Sequence, residues 1–547
     1  VFANRTTFWK GFEIRMMTDS NRKPDQAEKL GKVYFVGAGP ADPGLLTIKG
    51  LCVLQRAQTV IYDALIGPGI YSMIPQTAEK IPVGKRAGRH SAKQEEINQL
   101  ILEQAQMGRL VVRLKGGDPF LFGRGGEELE LLIRHQIPYE IVPGVTSALA
   151  VPAYAGIPVT YRGMSSGVHI LTGHKKQDEP LDIDFQALLR AGGTYVFLMG
   201  MSALHEIVSG FLQAGMSPDT PAAVIEQGTG ARHRSVISDL AQLEGEVCQR
   251  NLKAPAVIVI GKTAACGRRY AWREKLPLSG SRIVVTRPRT RSKAFTQTLQ
   301  QLGAEVMEMP SIDTQIRNCE EQLGEILSEI MKYEYMVFTS PAGVDYFFEL
   351  LDRMEMDVRC IGSIKLAVIG NATKEALKKR GLRPKLMPKR YNSAALGKLI
   401  HESAAEGSRV LLLRSAMGNP ELVNLIQGDK QIQVTDLAIY DTIYTKPCKG
   451  QTQPDMEYED SACMKQMIDQ GMIDMVMFTS ASAVRGFVQL TEGADYTKMC
   501  AVCIGQMTAD QALTYGMRVQ IAEIETVESM AEKAVQLSEK RRQTGWN

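Results

Sequence analysis

The sequence predicts an α/β protein of two halves, each made of two lobes, and three observations carry that prediction. Short apolar strands alternate with helical runs through the first half. A Gly-rich turn, Gly37-Ala-Gly-Pro-Ala-Asp-Pro43, follows the first strand directly, where a parallel sheet presents ligands at the carboxyl ends of its strands. The second half repeats itself internally, with a period too long for a solenoid unit.

Residues 1–30 are polar and irregular and read as a tail or upstream fragment, with Met16 or Met17 as candidate natural starts. Val33–Val36, Thr59–Tyr62 and Leu110–Leu114 are short apolar strands. Helical stretches at Ile48–Gln55, Glu95–Gln106 and Gly126–His135 fall around and between them, the pattern of a parallel α/β unit. Ile141-Val-Pro-Gly-Val-Thr-Ser147 breaks that rhythm and opens a second lobe, with strands at His169–Thr172, Thr194–Met199, Ala222–Glu226 and Ala256–Gly261. The first half is thus expected to hold lobes at 31–143 and 144–265, followed by a charged linker at 266–281 containing Pro277 and Gly280. In the second half, Met336-Val-Phe-Thr-Ser340 recurs as Val476-Met-Phe-Thr-Ser480, and Arg282-Ile-Val-Val-Thr-Arg287 as Arg409-Val-Leu-Leu-Leu-Arg414. Leu366-Ala-Val-Ile-Gly-Asn-Ala-Thr373 recurs as Ala501-Val-Cys-Ile-Gly-Gln-Met-Thr508. Two like lobes follow, one from 282–314 plus 443–547 and the other from 315–442.

Composition narrows the function classes. A chain of 547 residues has room for roughly three or four domains. Its net charge of +4, with no dense basic run interleaved with aromatics, argues against a nucleic-acid partner. No apolar run approaches membrane-spanning length. Nine cysteines show no paired framework, which points to a reducing, cytoplasmic compartment. Cys500-Ala-Val-Cys503 has redox-motif spacing but lies in an apolar strand, so two structural thiols are expected there. His174 has no second ligand at metal-binding spacing, and no metal is expected.

The Gly-rich turn departs from a dinucleotide fingerprint. Asp42 stands where the third glycine would be, and Pro40 lacks the amide N–H that a pyrophosphate would use. An acidic, proline-bearing turn suits a cofactor without phosphates, such as S-adenosyl-L-methionine. Three further clusters lie on strand-end loops: Tyr62-Asp63, the basic Lys85-Arg86-Ala-Gly-Arg89, and Arg113-Leu-Lys-Gly-Gly-Asp-Pro-Phe-Leu-Phe-Gly-Arg-Gly-Gly-Glu-Glu128.

Taken together, Gly-Ala-Gly-Pro-x-Asp-Pro, Tyr-Asp-x-Leu, the long Gly-Gly-Asp-Pro-Phe run, Pro-Gly-Val-Thr-Ser and Glu-x-Gly-Thr resemble uroporphyrinogen-III C-methyltransferase over about residues 31–265. The resemblance implies the two-lobed tetrapyrrole-methylase fold and two methyl transfers from S-adenosyl-L-methionine to uroporphyrinogen III, giving precorrin-2 for cobalamin or sirohaem synthesis. It implies cofactor contacts at Pro40, Gly116, Gly117, Asp118, Leu121, Thr146, Ser147, Met199 and Gly228. Asp63 matches the family's proton acceptor and Lys85 its donor, while Arg124 and Glu127 handle the macrocycle. Arg86 and Arg89 would meet the eight substrate carboxylates. A homodimer through this half is also implied. Ala41 and Gln227 depart from the family's usual Gly and Asn.

The second half resembles uroporphyrinogen-III synthase, which closes hydroxymethylbilane into a ring while inverting its last pyrrole. That resemblance implies a cleft lined by Thr339, Ser340, Thr479, Ser480, Ser482 and Thr508, with Tyr440 assisting loss of water. Gln506-Met507 replaces the usual Pro-x, and Ala342 a common Asn.

Read from the residues alone, plainer roles stand beside these. Asp63 also suits a strand-end cap, Met199 and Tyr440 core positions, and the Thr-Ser turns helix N-caps. The alternative function is a methyltransferase of the same fold on another substrate, fused to a non-catalytic tetrapyrrole-binding module.

Overall fold

The computed structural model describes residues 30–75, 77–84, 93–173, 181–445 and 460–544. The chain divides into two compact units, with the main boundary between Tyr270 and Ala271.

In the first unit, β1 (Lys32–Gly37), β2 (Thr59–Tyr62), β3 (Glu79–Pro82), β4 (Leu110–Lys115) and β5 (Tyr139–Val142) form an all-parallel sheet in the order β3-β2-β4-β1-β5. Its central strands bury apolar residues on both sides because helices cover both faces. Val33, Phe35, Ile61 and Val111 pack with Leu129 and Leu132 on one side, and Val36, Val60, Val112 and Leu114 pack with Ile70 and Ile74 on the other. The edge strands β3 and β5 carry charged residues and a proline, the usual protection of an exposed edge, and so lack the apolar signature of a strand.

The second sheet of this unit is mixed. Strands β6 (Val168–Thr172), β7 (Thr194–Leu198), β8 (Pro221–Glu226), β9 (Arg234–Asp239) and β10 (Ala256–Ile260) follow the order β6-β7-β10-β8-β9. Only β6 and β7 pair in parallel. Polar β9, at the edge, has no counterpart among the expected strands.

The second unit contains β11 (Arg282–Val285), β12 (Glu305–Glu308), β13 (Ile312–Ile316), β14 (Tyr333–Phe338), β15 (Lys365–Val368), β16 (Arg409–Ser415), β17 (Gln433–Tyr444), β18 (Met475–Phe478), β19 (Cys500–Cys503) and β20 (Arg518–Ile521). One sheet runs β12-β11-β18-β19-β20, the other β13-β17-β16-β14-β15. The order β12-β11-β18-β19 is the order β17-β16-β14-β15 again, which is the structural form of the sequence repeat. The lobes are tied at Ser311, whose carbonyl accepts from the Thr445 amide at 3.2 Å and whose hydroxyl donates to the Ala483 carbonyl at 2.8 Å. Gly486 is required beneath this crossing, since a Cβ there would lie 2.2 Å from the Ser311 oxygen.

Two expected boundaries differ from what is seen. The stretch 266–281 is no free linker. Cys266 and Leu278 are 8% and 0% exposed, and the Leu278 amide donates to the Leu302 carbonyl at 2.8 Å. These apolar anchors outweigh the Pro and Gly composition. In the second unit, β13 pairs antiparallel with β17 from Ile312↔Tyr444 to Ile316↔Tyr440. Residues 312–314 and 443–444 therefore join the second lobe's sheet rather than the first's.

Candidate active sites

The carboxyl ends of β1, β4 and β5 meet in a backbone cradle. Gly39 and Gly117 exchange amide-to-carbonyl hydrogen bonds at 3.1 and 2.9 Å. A Cβ on Gly37 would lie 2.5 Å from Gly144 Cα, and one on Gly144 would lie 2.2 Å from the Gly117 oxygen. Gly117 has φ +67°, so glycine is needed there for conformation as well as space. Asp118 locks the cradle: one carboxylate oxygen accepts from the Phe120 amide at 2.8 Å and the other from the Gly144 amide at 3.0 Å.

The second lobe closes over the opening turn. Asp42 accepts from the Tyr154 hydroxyl at 2.8 Å, and the Asp42 amide donates to Thr229 Oγ1 at 3.3 Å. This brings the Pro40 turn to the Gly228 turn. Thr146 caps the Ser147–Tyr154 helix by accepting from the Ala148 amide at 3.2 Å, and Leu121 packs against the apolar cluster that includes Ala148 and Val151. Gly228 also abuts Val151, whose side chain would lie 2.3 Å from an added Cβ. Met199 is 50% exposed at the end of β7, so it is not a core residue. Ala41 in this turn, Met199 just after β7, and Gln227 and Thr229 flanking Gly228 all hold positive φ (80°, 55°, 44° and 72°). Strained non-glycine backbone of this kind gathers at functional sites.

These residues fit a phosphate-free nucleoside cofactor. The cradle admits close approach to backbone, a helix N-terminus stands ready for a carboxylate, and Asp42 and Asp118 would repel a pyrophosphate.

Asp63, at the end of β2, is held beside β4 by its amide bond to the Leu114 carbonyl at 3.3 Å. Arg113 Nη2 lies 2.6 Å from its carboxylate. Arg113 is 2% exposed and also meets Glu128 at 3.2 Å, and Lys115 meets Glu128 at 2.9 Å. Two cations and two carboxylates thus close a buried, balanced group of which Asp63 is the open end. Burial disfavours the Arg113 charge, but Asp63 and Glu128 together hold its pKa above the ordinary value. Lys115 is pushed down, first by burial and then by Arg113. Sequence reading assigned no role to Arg113, Lys115 or Glu128. A signal was present: two cations at alternate positions of an apolar central strand share one face and need buried partners.

Arg124 and Glu127 form an exposed two-pronged pair, at 2.9 and 2.6 Å, at the start of the Gly125–Arg134 helix. The Arg124 bond holds the Glu127 carboxyl below the usual range. Lys85, Arg86 and Arg89 fall in residues 85–92, outside the described residues.

In the second unit, Ser340 and Ser480 are indeed N-caps. Their hydroxyls accept from the Gly343 and Ala483 amides at 2.9 and 3.1 Å. Ser480 and Ser482 hydroxyls lie 2.9 Å apart, and Thr339 and Thr479 are half-buried beside these turns. Tyr440 is 6% exposed, with its hydroxyl 2.8 Å from Ser340 Oγ and its ring 5.4 Å from that of Tyr346. Tyr440 is therefore a packed residue whose hydroxyl meets a cap. Thr508 is 4% exposed, and its repeat counterpart Thr373 is 1% exposed. Both are buried, so Thr508 is packed rather than open to a cleft. Sequence reading also passed over Arg485, which donates to the Tyr444 hydroxyl at 3.2 Å and to Gln511 at 2.7 Å.

Among the described residues, no group of three or more His, Cys, Asp or Glu side chains could hold a metal ion, and no helix is long and apolar enough to cross a membrane.

Comparison with known proteins matches each unit to a family. The Tetrapyrrole (Corrin/Porphyrin) Methylases match residues 32–244, and Uroporphyrinogen-III synthase HemD matches residues 293–532. The porphyrin biosynthesis protein HemD of Ruminiclostridium josui is 39% identical over 507 residues, covering 93% of this chain and 98% of its own. The S-adenosyl-L-methionine-dependent uroporphyrinogen III methyltransferase of Methanosarcina barkeri is 49% identical over 232 residues, 42% of this chain and 91% of its own. The crystal structure of a Thermus thermophilus uroporphyrin-III C-methyl transferase complexed with S-adenyl homocysteine shares 38% identity, with 43% of this chain and 99% of that one covered and a TM-score of 0.37. With both family matches side by side and a relative aligned along nearly its whole length, the chain belongs to the porphyrin-biosynthesis family that joins a tetrapyrrole methylase to a uroporphyrinogen-III synthase.

Proposed function

We propose that the chain carries out two consecutive steps of tetrapyrrole biosynthesis. The second unit closes hydroxymethylbilane to uroporphyrinogen III, and the first methylates that product twice to precorrin-2. The observation that carries this reading is the alignment with one relative across both units, 98% of that relative's length at 39% identity.

In the first unit, Pro40, Gly116, Gly117, Asp118, Leu121, Thr146, Ser147, Met199 and Gly228 would hold S-adenosyl-L-methionine. When bound, it supplies an electrophilic methyl on a sulfonium. This chain's residues align the macrocycle and move protons. Each methyl added to the neutral ring displaces one proton, and Asp63, a carboxylate paired with Arg113 at 2.6 Å, is the acceptor. Arg124 and Glu127, both exposed, would exchange their mutual pair for polar groups of the substrate. Lys85, Arg86 and Arg89 would serve the donor role and the substrate carboxylates.

In the second unit, the hydroxyls of Thr339, Ser340, Thr479, Ser480 and Ser482 would hold the bilane, while Tyr440 assists loss of water from its hydroxymethyl carbon. Joining the two activities raises the local concentration of the intermediate at the methylating site. A cytoplasmic location and a homodimer through the first unit complete the reading.

The test is incubation of the full chain with hydroxymethylbilane, with and without S-adenosyl-L-methionine, followed by isomer and methylation analysis. Uroporphyrinogen III is expected without the cofactor and precorrin-2 with it. Failure to methylate added uroporphyrinogen III overturns the assignment of the first unit.

A further inference from the structure

The buried charged group behind Asp63 contains two side chains that the methylation chemistry leaves without a role. Lys115 and Glu128 are 4% and 1% exposed and lie 2.9 Å apart. Lys115 Nζ is also 4.0 Å from Asp63, and Arg113 bridges the two carboxylates at 2.6 and 3.2 Å. Both cations therefore face both carboxylates, while only Asp63, with its side chain 28% exposed, opens outward. The Gln94 amide donates to Glu128 at 3.2 Å from the neighbouring Gln94–Gln106 helix. Among the described residues, the other charged neighbours are the Arg124–Glu127 pair at the start of Glu128's own helix, and Glu95, which acts on Arg124. A stabilising role alone explains this arrangement poorly, because a buried ion-pair network contributes little over an apolar replacement.

We propose, resting on the assignment of Asp63 as proton acceptor, that Lys115 and Glu128 are positioning residues that set how readily Asp63 takes its proton, and that they act in opposite directions. Lys115 is an opposite charge at 4.0 Å and favours the ionised form of Asp63. Glu128 competes for the same two cations and so weakens their hold on Asp63. The proton balance is explicit. The methyl–sulfur bond breaks with its pair left on sulfur, and a ring carbon supplies the pair for the new carbon–carbon bond. One proton passes from the macrocycle to an Asp63 oxygen, leaving a neutral carboxylic acid that later returns the proton to water.

The experiment measures kcat/KM for methylation of uroporphyrinogen III against pH in the full chain. Wild type is compared with Lys115→Met, Glu128→Gln and the double variant, with binding of S-adenosylhomocysteine to each as a check on the fold. Lys115→Met should move the acid limb to higher pH by about one unit, and Glu128→Gln to lower pH by about one unit. The double variant, again balanced in charge, should return close to wild type. A packing role would lower activity without moving the limb. Limbs that coincide, or single variants that shift in the same direction, overturn the proposal. Should Glu128→Gln lose nucleoside binding, an upward shift in Lys115→Met that is reversed in the double variant supports the proposal, and an unmoved limb overturns it. A wild-type chain that binds the nucleoside but never methylates overturns the functional assignment instead.

Discussion

Replacing Tyr440 with Phe separates the chemistry of its hydroxyl from the packing of its ring. The ring is 6% exposed and rests 5.4 Å from Tyr346, so Phe fills the same space and opens no cavity. What goes is the hydroxyl, 2.8 Å from Ser340 Oγ, while Ser340 keeps the Gly343 amide at 2.9 Å as its own partner. A net hydrogen bond is worth about 1 kcal/mol, which for a unit of this size lowers Tm by roughly 2–4 °C. A positioned proton donor contributes about 10²–10⁴ in rate, or roughly 3–5 kcal/mol of barrier. Tyr440→Phe is therefore expected to slow uroporphyrinogen III formation at least about a hundredfold, with the type I isomer from uncatalysed closure accumulating in its place. Thermal unfolding of the same sample should shift by only a few degrees. The assay is hydroxymethylbilane consumption with separation of the two isomers. A rate within about threefold of wild type, a smaller loss than removal of a positioned proton donor brings, refutes the reasoning and returns Tyr440 to a packing role.

Other perturbations test the first unit and the buried thiols. Arg113→Met leaves Asp63 and Glu128 with Lys115 as their remaining shared cation, and should cost about 3 kcal/mol in urea unfolding; a loss under about 1 kcal/mol would mean that these pairs contribute little to the fold. Gly144→Ala drives a Cβ to 2.2 Å from the Gly117 oxygen, where backbone must move. S-adenosylhomocysteine affinity by calorimetry should fall by roughly tenfold or more, and unchanged affinity would detach the cradle from cofactor binding. Cys503, fully buried in β19, has its thiol pushed up to about 12 by burial from a reference value of 9.0. Its contribution is complete below pH 9 and is lost as pH climbs through the folded-state value. Between those values the wild type should lose up to about 1.4 kcal/mol per pH unit more than Cys503→Ala, and parallel stability curves would contradict this.

The sequence alone determined the features that a local rule writes into neighbouring residues. Strands β1, β2 and β4 are legible because burial on both faces leaves them rich in apolar residues. The cradle glycines are legible because turns at strand ends demand them, and the second unit's pairing of lobes is legible because its repeat is written twice. Motif resemblance then brought Asp63, Arg124 and Tyr440 forward. Only the tertiary structure decided the rest. The edge strands β3, β5 and β9 carry polar residues for their exposed side, which erases the pattern a reader looks for. The stretch 266–281 looks like a linker in composition, yet Leu278 is anchored by a carbonyl more than twenty residues away. Ser340 and Thr508 read alike as turn hydroxyls, but one caps a helix beside Tyr440 and the other is buried. Above all, the balance among Asp63, Arg113, Lys115 and Glu128 joins two strands and a helix. Charge pairing depends on distance through space, and a linear string of residues records distance only along the chain.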